Sequence, residues 1–335
     1  MDRFIEELIK RNQLHINLDF DGMLCAALVS KVFPGKFKIV GYNDSKEKIW
    51  FFPEYVKELC VFLDFYKREE GAMCIDQHML DYDKIRYEEF KFNPNRDLIP
   101  TLTSNNYYGK YPFSTFLYIL YIFEKEGLIS NSDIKLDTEL SKGVYLGYLI
   151  FRADSTLFDY IVYNENSEKW LNKMEEDLPE NSLIRQIHNE FRKIIENNKE
   201  IKSLINKNSY NKLLRKKSYD INDKIEERVN KNYLPTDGGE GFKEPSKEFF
   251  KLLRDIYKAF GAEENFTEES GEEKRLCNYY DDRIEEYKEL VNDNRLYGGV
   301  FTKHNIYSCQ FEEQFEEELK RKYYNLNLKK KNEKR

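Results

Sequence analysis

Apolar runs and polar breaks alternate over residues 14–78 in a way that predicts strands and helices in turn. Leu14, Ile16 and Leu18 read as a buried strand, Asp19 to Gly22 as a strand-to-helix corner, and Met23 to Val32 as the amphipathic helix that follows. Phe37 to Tyr42 is a second strand and Glu54 to Cys60 a short helix. Two more apolar runs, Cys60 to Leu63 and Ala72 to Ile75, predict strands that close on Asp64 and on Asp76, Gln77 and His78. A fourth run, Tyr148 to Phe151, reads the same way and leads through Arg152 and Ala153 to Asp154, Ser155 and Thr156. Strands this apolar are buried on both faces, the habit of parallel strands covered by helices. The expected class is α/β with a parallel sheet.

Further along the pattern loosens. Asn93 to Lys110, rich in Asn, Pro, Thr and Tyr, reads as a loop beside the strand ends, and Pro112 to Glu126 as an apolar helix with Ser114 and Thr115 in its first turn. From Ser167 to Asn230 the spacing of Trp170, Leu171, Met174, Ile184, Ile187, Phe191, Ile194 and Ile195 predicts long charged helices, with His188 at the edge of their apolar stripe as a packing or surface residue. Leu234 to Gly239 breaks the helical pattern. The expected organisation is a strand-and-helix domain over 1–165, a helical connector over 166–232, a smaller α+β domain over 233–325 and a basic tail over 326–335.

The run ends place carboxylates where open parallel sheets form their ligand crevice. Of the four histidines, His15 and His78 fall in these segments. Imidazole and carboxylate groups together are the donors that a divalent cation takes. Two cations about 3.5–4 Å apart neutralise phosphoryl oxygens, acidify water and stabilise a leaving oxygen, with one carboxylate bridging them. Plainer roles stand beside this one: Asp19 and Asp21 as helix N-caps, Asp64 and Asp76 as strand ends, His15 as a core histidine and His78 as a turn cap. No Gly-x-Ser-x-Gly elbow occurs and none of the five cysteines lies in a nucleophile motif, so no covalent intermediate is expected.

Taken in order, His15-x-Asn17-x-Asp19-x-Asp21-Gly22, the strand-end Asp64, Asp76-x-His78 and Asp154-x-Thr156 resemble the four motifs of the DHH phosphoesterase superfamily, over about residues 12–160. That superfamily includes family II inorganic pyrophosphatases, nanoRNA and cyclic-dinucleotide phosphodiesterases, and single-strand DNA exonucleases. The resemblance implies a DHH-type domain holding two Mn2+ ions, with Mg2+ as a substitute. It implies that His15, Asp19 and Asp64 hold the first ion and Asp21, Asp64 and Asp154 the second, with Asp64 bridging and Asp76 orienting from outside the ligand shell. The motif that names the superfamily reads Asp76-Gln77-His78 in this chain, so Gln77 stands where a metal-binding histidine is implied. His78 keeps the implied role of assisting the leaving group, and the implied catalytic group is Asp64, Asp76 and His78. A glutamine oxygen is a poorer donor to transition metals than imidazole, so the second ion is expected to bind weakly or to arrive with substrate. Tyr297 to His304 is a short echo of the family's glycine-rich substrate loop, with Gly298, Gly299, Lys303 and His304 as substrate contacts and Arg152 as a further phosphate-binding cation; the plainer reading of Gly298-Gly299 is a hairpin turn.

Composition narrows the substrate. A net charge of −7 is not that of a protein which holds long polyanions on an extended basic surface, and it favours a nucleotide, a cyclic dinucleotide or a short oligonucleotide. Basic residues do cluster at Lys212 to Lys217 and from Lys320 to Arg335, which keeps a single-strand DNA exonuclease in play, although such a tail is usually a solvated one. A content of 40% hydrophobic and 34% charged residues argues against wholesale disorder. Five cysteines without a Cys-x-x-Cys pair suggest a reducing compartment and no zinc ribbon. The amino terminus reads as an amphipathic start rather than a signal peptide, and no apolar run approaches membrane-spanning length, so the cytoplasm is expected and a membrane partner is not. A homo-oligomer, a protein partner, and a catalytically degenerate binding or structural subunit all remain open.

Overall fold

The computed structural model describes residues 2–44, 48–67, 71–78, 90–98, 109–141, 143–205, 213–218, 220, 241–268, 271–281, 296–303, 306–312, 314 and 318. The expected break at Leu234 to Gly239, His304, Lys212 and the tail from Lys320 lie outside the described residues. The chain is mixed α/β and divides into two compact units, one over 3–17, 39–107 and 269–335, the other over 1–2, 18–38 and 108–268. These units cut across the segments drawn from the sequence, because the carboxy-terminal strands pair with amino-terminal ones.

The first unit carries the sheet. Its strands are β1 (Gln13–Asn17), β2 (Lys38–Asn43), β3 (Lys48–Phe51), β4 (Cys60–Leu63), β5 (Met73–Ile75), β6 (Lys91–Phe92), β9 (Glu272–Asp281), β10 (Leu296–Lys303) and β11 (Ile306–Glu312). They are ordered β10-β11-β9-β3-β2-β1-β4-β5-β6. β1, β4, β5 and β6 run parallel, while β3 pairs antiparallel with β2 and β9, and β11 with β9 and β10. Leu14, Ile16, Val61, Leu63, Met73 and Ile75 are buried, as two-faced burial of parallel strands requires. Gly41 of β2 has a steric reason: a methyl group there would sit 2.4 Å from His15 Cδ2 and 2.7 Å from the Trp50 carbonyl oxygen. Two short helices, α1 (Arg3–Leu8) and α3 (Pro94–Asp97), belong to this unit. Gly298 and Gly299 lie inside β10, opposite Gln310 and Cys309, and form neither a loop nor a hairpin turn.

The second unit is mainly helical. α2 (Phe20–Val32) is buried on all sides from Phe20 to Ser30, not amphipathic as expected, since a helix apolar all round belongs in a core. It packs against α4 (Thr115–Lys125) and α10 (Lys247–Phe260), and Ser30 Oγ lies 3.1 Å from the Tyr257 hydroxyl. α4 starts at Thr115 because Ser114 Oγ accepts the Leu117 amide as its N-cap. The run through Tyr148 is a helix, α5 (Leu146–Arg152), and not the expected strand. A short apolar run suits a buried helix as well as a buried strand, and the packing partners decide. α6 (Thr156–Val162), α7 (Asn164–Glu175), α8 (Leu183–Asn197) and α9 (Lys199–Ile205) follow, with β7 (Glu139–Ser141) and β8 (Val144–Tyr145) as a small separate ladder. The helix expected over Glu54 to Cys60 shrinks to one 3-10 turn, Lys57–Leu59, and Cys60 opens β4. Among the described residues no helix is long and apolar enough to cross a membrane.

Candidate metal centre

Register brings the first set of polar groups together within the sheet unit. Ile16 of β1 is level with Leu63 of β4, and Leu63 with Ile75 of β5, so Asn17, Asp64 and Asp76 follow one another along the carboxyl edge. The Asp64 amide donates to the Ile75 carbonyl at 2.8 Å, and the residue turns out of the strand at φ 58°, a left-handed conformation that aspartate tolerates. Asn17 holds it there: its Nδ2 donates to Asp64 Oδ2 at 2.9 Å and also to the Asp64 carbonyl, while Asn43 donates to Asn17 Oδ1 at 3.0 Å. Asp76 Oδ1 accepts the His78 amide at 3.0 Å and lies 2.7 Å from His78 Nδ1. The carbonyls of this turn are clamped in their place. Asn93 Nδ2 donates to Asp76 O and to His78 O, both at 2.6 Å, and Asn95 Nδ2 to Gln77 O at 2.9 Å.

Donor atoms of Asp64, Asp76 and His78 all lie within 4.8 Å of one another. Asp76 is 2% exposed, yet its Oδ2 has no hydrogen-bond partner among the described residues. A buried carboxylate oxygen left so is costly unless a cation or another donor meets it, and the donor set of two carboxylates and one imidazole fits a divalent cation. Gln77 is buried, and its amide nitrogen lies 3.2 Å from His78 Nε2. With the Nδ1 proton given to Asp76, Nε2 accepts from that amide.

His15 stands apart from this set. Its ring is fully buried, 4.9 Å from the Phe62 ring centre and 5.2 Å from that of Phe51, and neither ring nitrogen has a hydrogen-bond partner among the described residues. Burial, and then the charge of Lys67, hold its pKa well below the usual histidine value; the nearby backbone of Trp50 and Tyr42 offsets this in part.

The helical unit holds the other aspartates, and two of them, Asp19 and Asp21, meet the amides of helix starts. Asp19 is the N-cap of α2 and accepts the Gly22 amide at 2.9 Å. Asp21 Oδ2 accepts the Thr115 amide at 2.7 Å and Oδ1 the Phe116 amide at 2.8 Å, so one carboxylate meets two donors at the start of α4. Burial, then the charges of Asp154 and Asp19, push its pKa well above the usual range against those amides. Asp154 sits at the kink between α5 and α6, with φ 47° and its neighbour Ser155 at 56°. Thr156 accepts the Ser114 amide at 3.1 Å and donates to Ala153 O at 2.7 Å. Arg152 ends α5, and Lys303 ends β10 opposite Ile306.

His188, expected at the edge of a stripe, is fully buried, with Nδ1 2.6 Å from Glu175 and Nε2 3.1 Å from Glu168. Sequence reasoning missed Asn93 and Asn95, for which no spacing signal links the Asn-Pro-Asn turn to Asp76. Asn17 lay in the quoted motif, and its alternation with Asp19 was the signal available. Comparison with protein-family models, curated proteins and solved structures found no match for this chain.

Proposed function

We propose that this chain is a metal-dependent phosphoesterase that hydrolyses a phosphodiester in a nucleotide, a cyclic dinucleotide or a short oligonucleotide, with Mn2+ as its cofactor and the cytoplasm as its compartment. The observation that carries the reading is the Asp64, Asp76 and His78 group with its buried Asp76 oxygen, which has no hydrogen-bond partner among the described residues. The four ordered motifs and the charge of −7, which suits a short substrate, support it.

A divalent cation supplies the charge that neutralises phosphoryl oxygens and makes hydroxide available near neutral pH. The chain's own residues do the positioning. Asn17 and Asn43 fix the Asp64 carboxylate, Asp76 sets the tautomer and orientation of His78, and Asn93 and Asn95 keep the turn from collapsing. This departs from the resemblance in making Asp76 and His78 direct ligands. The part given by the resemblance to Asp19, Asp21 and Asp154 belongs to the same proposal, and Asp19 and Asp21 retain oxygen lone pairs beyond those their helix amides use.

Hydrolysis by the full chain, with Mn2+ and with chelator, tests the reading across pyrophosphate, cyclic dinucleotides, short RNA and single-stranded DNA. Mn2+-dependent turnover that disappears in Asp64→Asn and Asp76→Asn supports it, and no turnover on any substrate by folded protein sinks it. A second reading, a binder that recognises a nucleotide or protein without cutting, is favoured by the Gln77 amide resting on His78 Nε2. Gln77→His separates the two: a dormant enzyme gains metal affinity and turnover, a binder gains neither.

A further inference from the structure

The resemblance makes His15 a ligand of the first ion, and the structure offers a direct check on that assignment. A histidine ligand presents one ring nitrogen to the ion and gives the other N–H to an acceptor. Among the described residues the His15 ring joins no group of metal donors, and its polar neighbours are the backbone of Trp50 and Tyr42. Its Cδ2 and Nε2 edge lies against Gly41, so closely that a methyl group on that glycine would fall 2.4 Å from Cδ2 and 2.9 Å from Nε2. Its flanks are covered by Phe51, Phe62 and Phe65, with ring centres 5.2, 4.9 and 6.3 Å away. The Lys67 ammonium rests over two of the same rings, 4.9 Å from the centre of Phe51 and 5.2 Å from that of Phe62. A fixed positive charge beside an aromatic box disfavours a second cation there. No carboxylate of the described residues forms a cluster with His15.

His78, four strands later in the chain, has what His15 lacks. Asp76 orients it through Nδ1 at 2.7 Å, it is about one-third exposed, and its donor atom falls within 4.8 Å of those of Asp64 and Asp76. Asp76 contributes the second, independent sign of a ligand, a side chain 2% exposed whose Oδ2 meets no donor among the described residues.

We infer that the cation site of the sheet unit is built on Asp64, Asp76 and His78, and that His15 is a packing wedge between β1 and Gly41 of β2 that binds no ion. The inference rests on the proposed metal chemistry and goes beyond it in removing His15 from the ligands that the resemblance implies. Three protein ligands leave coordination positions open for water and for a substrate oxygen, the pattern of a catalytic rather than a structural ion. Asp76 thereby moves from orienting group to ligand, with Oδ2 toward the ion and Oδ1 on His78.

The test needs no variant at its centre. The full chain, labelled at its four histidines with 15N, is titrated with Zn2+ as a diamagnetic probe and the ring nitrogens are followed by NMR. The expected result is a metal-induced shift of the His78 ring, with His15 unmoved. In parallel, Mn2+ affinity is measured in His15→Gln, Asp76→Asn and His78→Ala, each checked for folding by circular dichroism. Affinity should change less than about twofold in His15→Gln and fall at least about tenfold in the other two. A shifted His15 ring, or a tenfold loss in folded His15→Gln with Asp76→Asn unaffected, overturns the inference and leaves the phosphoesterase reading standing. Metal bound with the His78 ring unmoved overturns it as well. Absence of any Zn2+ or Mn2+ binding by the folded chain overturns the phosphoesterase reading itself.

Discussion

Asp76 of the sheet unit and Asp21 of the helical unit are both aspartates beside other acids, and both are buried, at 2% and 1% exposure. Their oxygens meet different surroundings. Asp21 gives one oxygen to each of two amides at the start of α4, whereas Asp76 orients His78 with one oxygen and leaves the other unmet among the described residues. A helix N-terminus offers donors that satisfy a carboxylate, while the carboxyl edge of a parallel sheet offers few. The same residue type therefore spends both oxygens on amides in one place and keeps one open to a ligand in the other.

The largest effect expected from breaking this contrast is on activity. Asp76→Asn should lower Mn2+-dependent turnover by at least about a hundredfold while the thermal midpoint moves little, since a ligand matters at least as much as the groups that orient one. A melting curve measured beside the turnover assay checks both halves. Next comes packing around the silent histidine. Gly41→Ala should cost about 3 kcal/mol in urea unfolding, because its methyl group would lie 2.4 Å from His15 Cδ2 and 2.7 Å from the Trp50 carbonyl. Adding His15→Ala should recover part of that loss, as only the first of the two clashes is relieved. No recovery would mean that the ring is not the wedge proposed.

Asp21→Ala should destabilise the fold by about 2 kcal/mol through its two lost amide partners, with chemical denaturation as the measurement. A smaller effect follows pH. Burial lowers the His188 pKa, but hydrogen bonds with Glu168 and Glu175 outweigh it and hold the group above the usual histidine value; Tyr160 and Arg192 also bond to Glu168. Such a group contributes stability in full below its unfolded value of about 6.5, and that contribution is lost as pH rises through the raised folded value. The gap between wild type and His188→Gln, about 1–2 kcal/mol near pH 6, should shrink by pH 9, and urea midpoints at the two pH values read it. Smallest of all, Gln77→Ala frees His78 Nε2 and should raise Mn2+ affinity about fivefold, the worth of one hydrogen bond, by isothermal titration.

Much of the sheet was legible in advance. β1, β2, β4 and β5 appear where the apolar runs lie, and Asp64 and Asp76 do close β4 and β5. The run before Asp154 was misread as a strand because four or five apolar residues carry no period of their own. The carboxy-terminal strands joined the sheet through β9 pairing with β3, a contact more than two hundred residues apart in sequence that no local pattern contains.

Local pattern alone determined which residues could form strands, where carboxylates and imidazoles stood relative to strand ends, and that an apolar helix would run to about Glu126, although it was expected to open at Pro112 and opens at Thr115. Those properties depend on side-chain period, apolar content and capping chemistry within a few residues of each other. Only tertiary structure decided which carboxylate oxygens meet amide donors, that His15 is pressed against Gly41 and Lys67's aromatic rings, and that Asn93 and Asn95 hold the turn of His78. A side chain's chemistry is set by the partners that reach it, and strand register and helix packing bring those partners from distant parts of the chain.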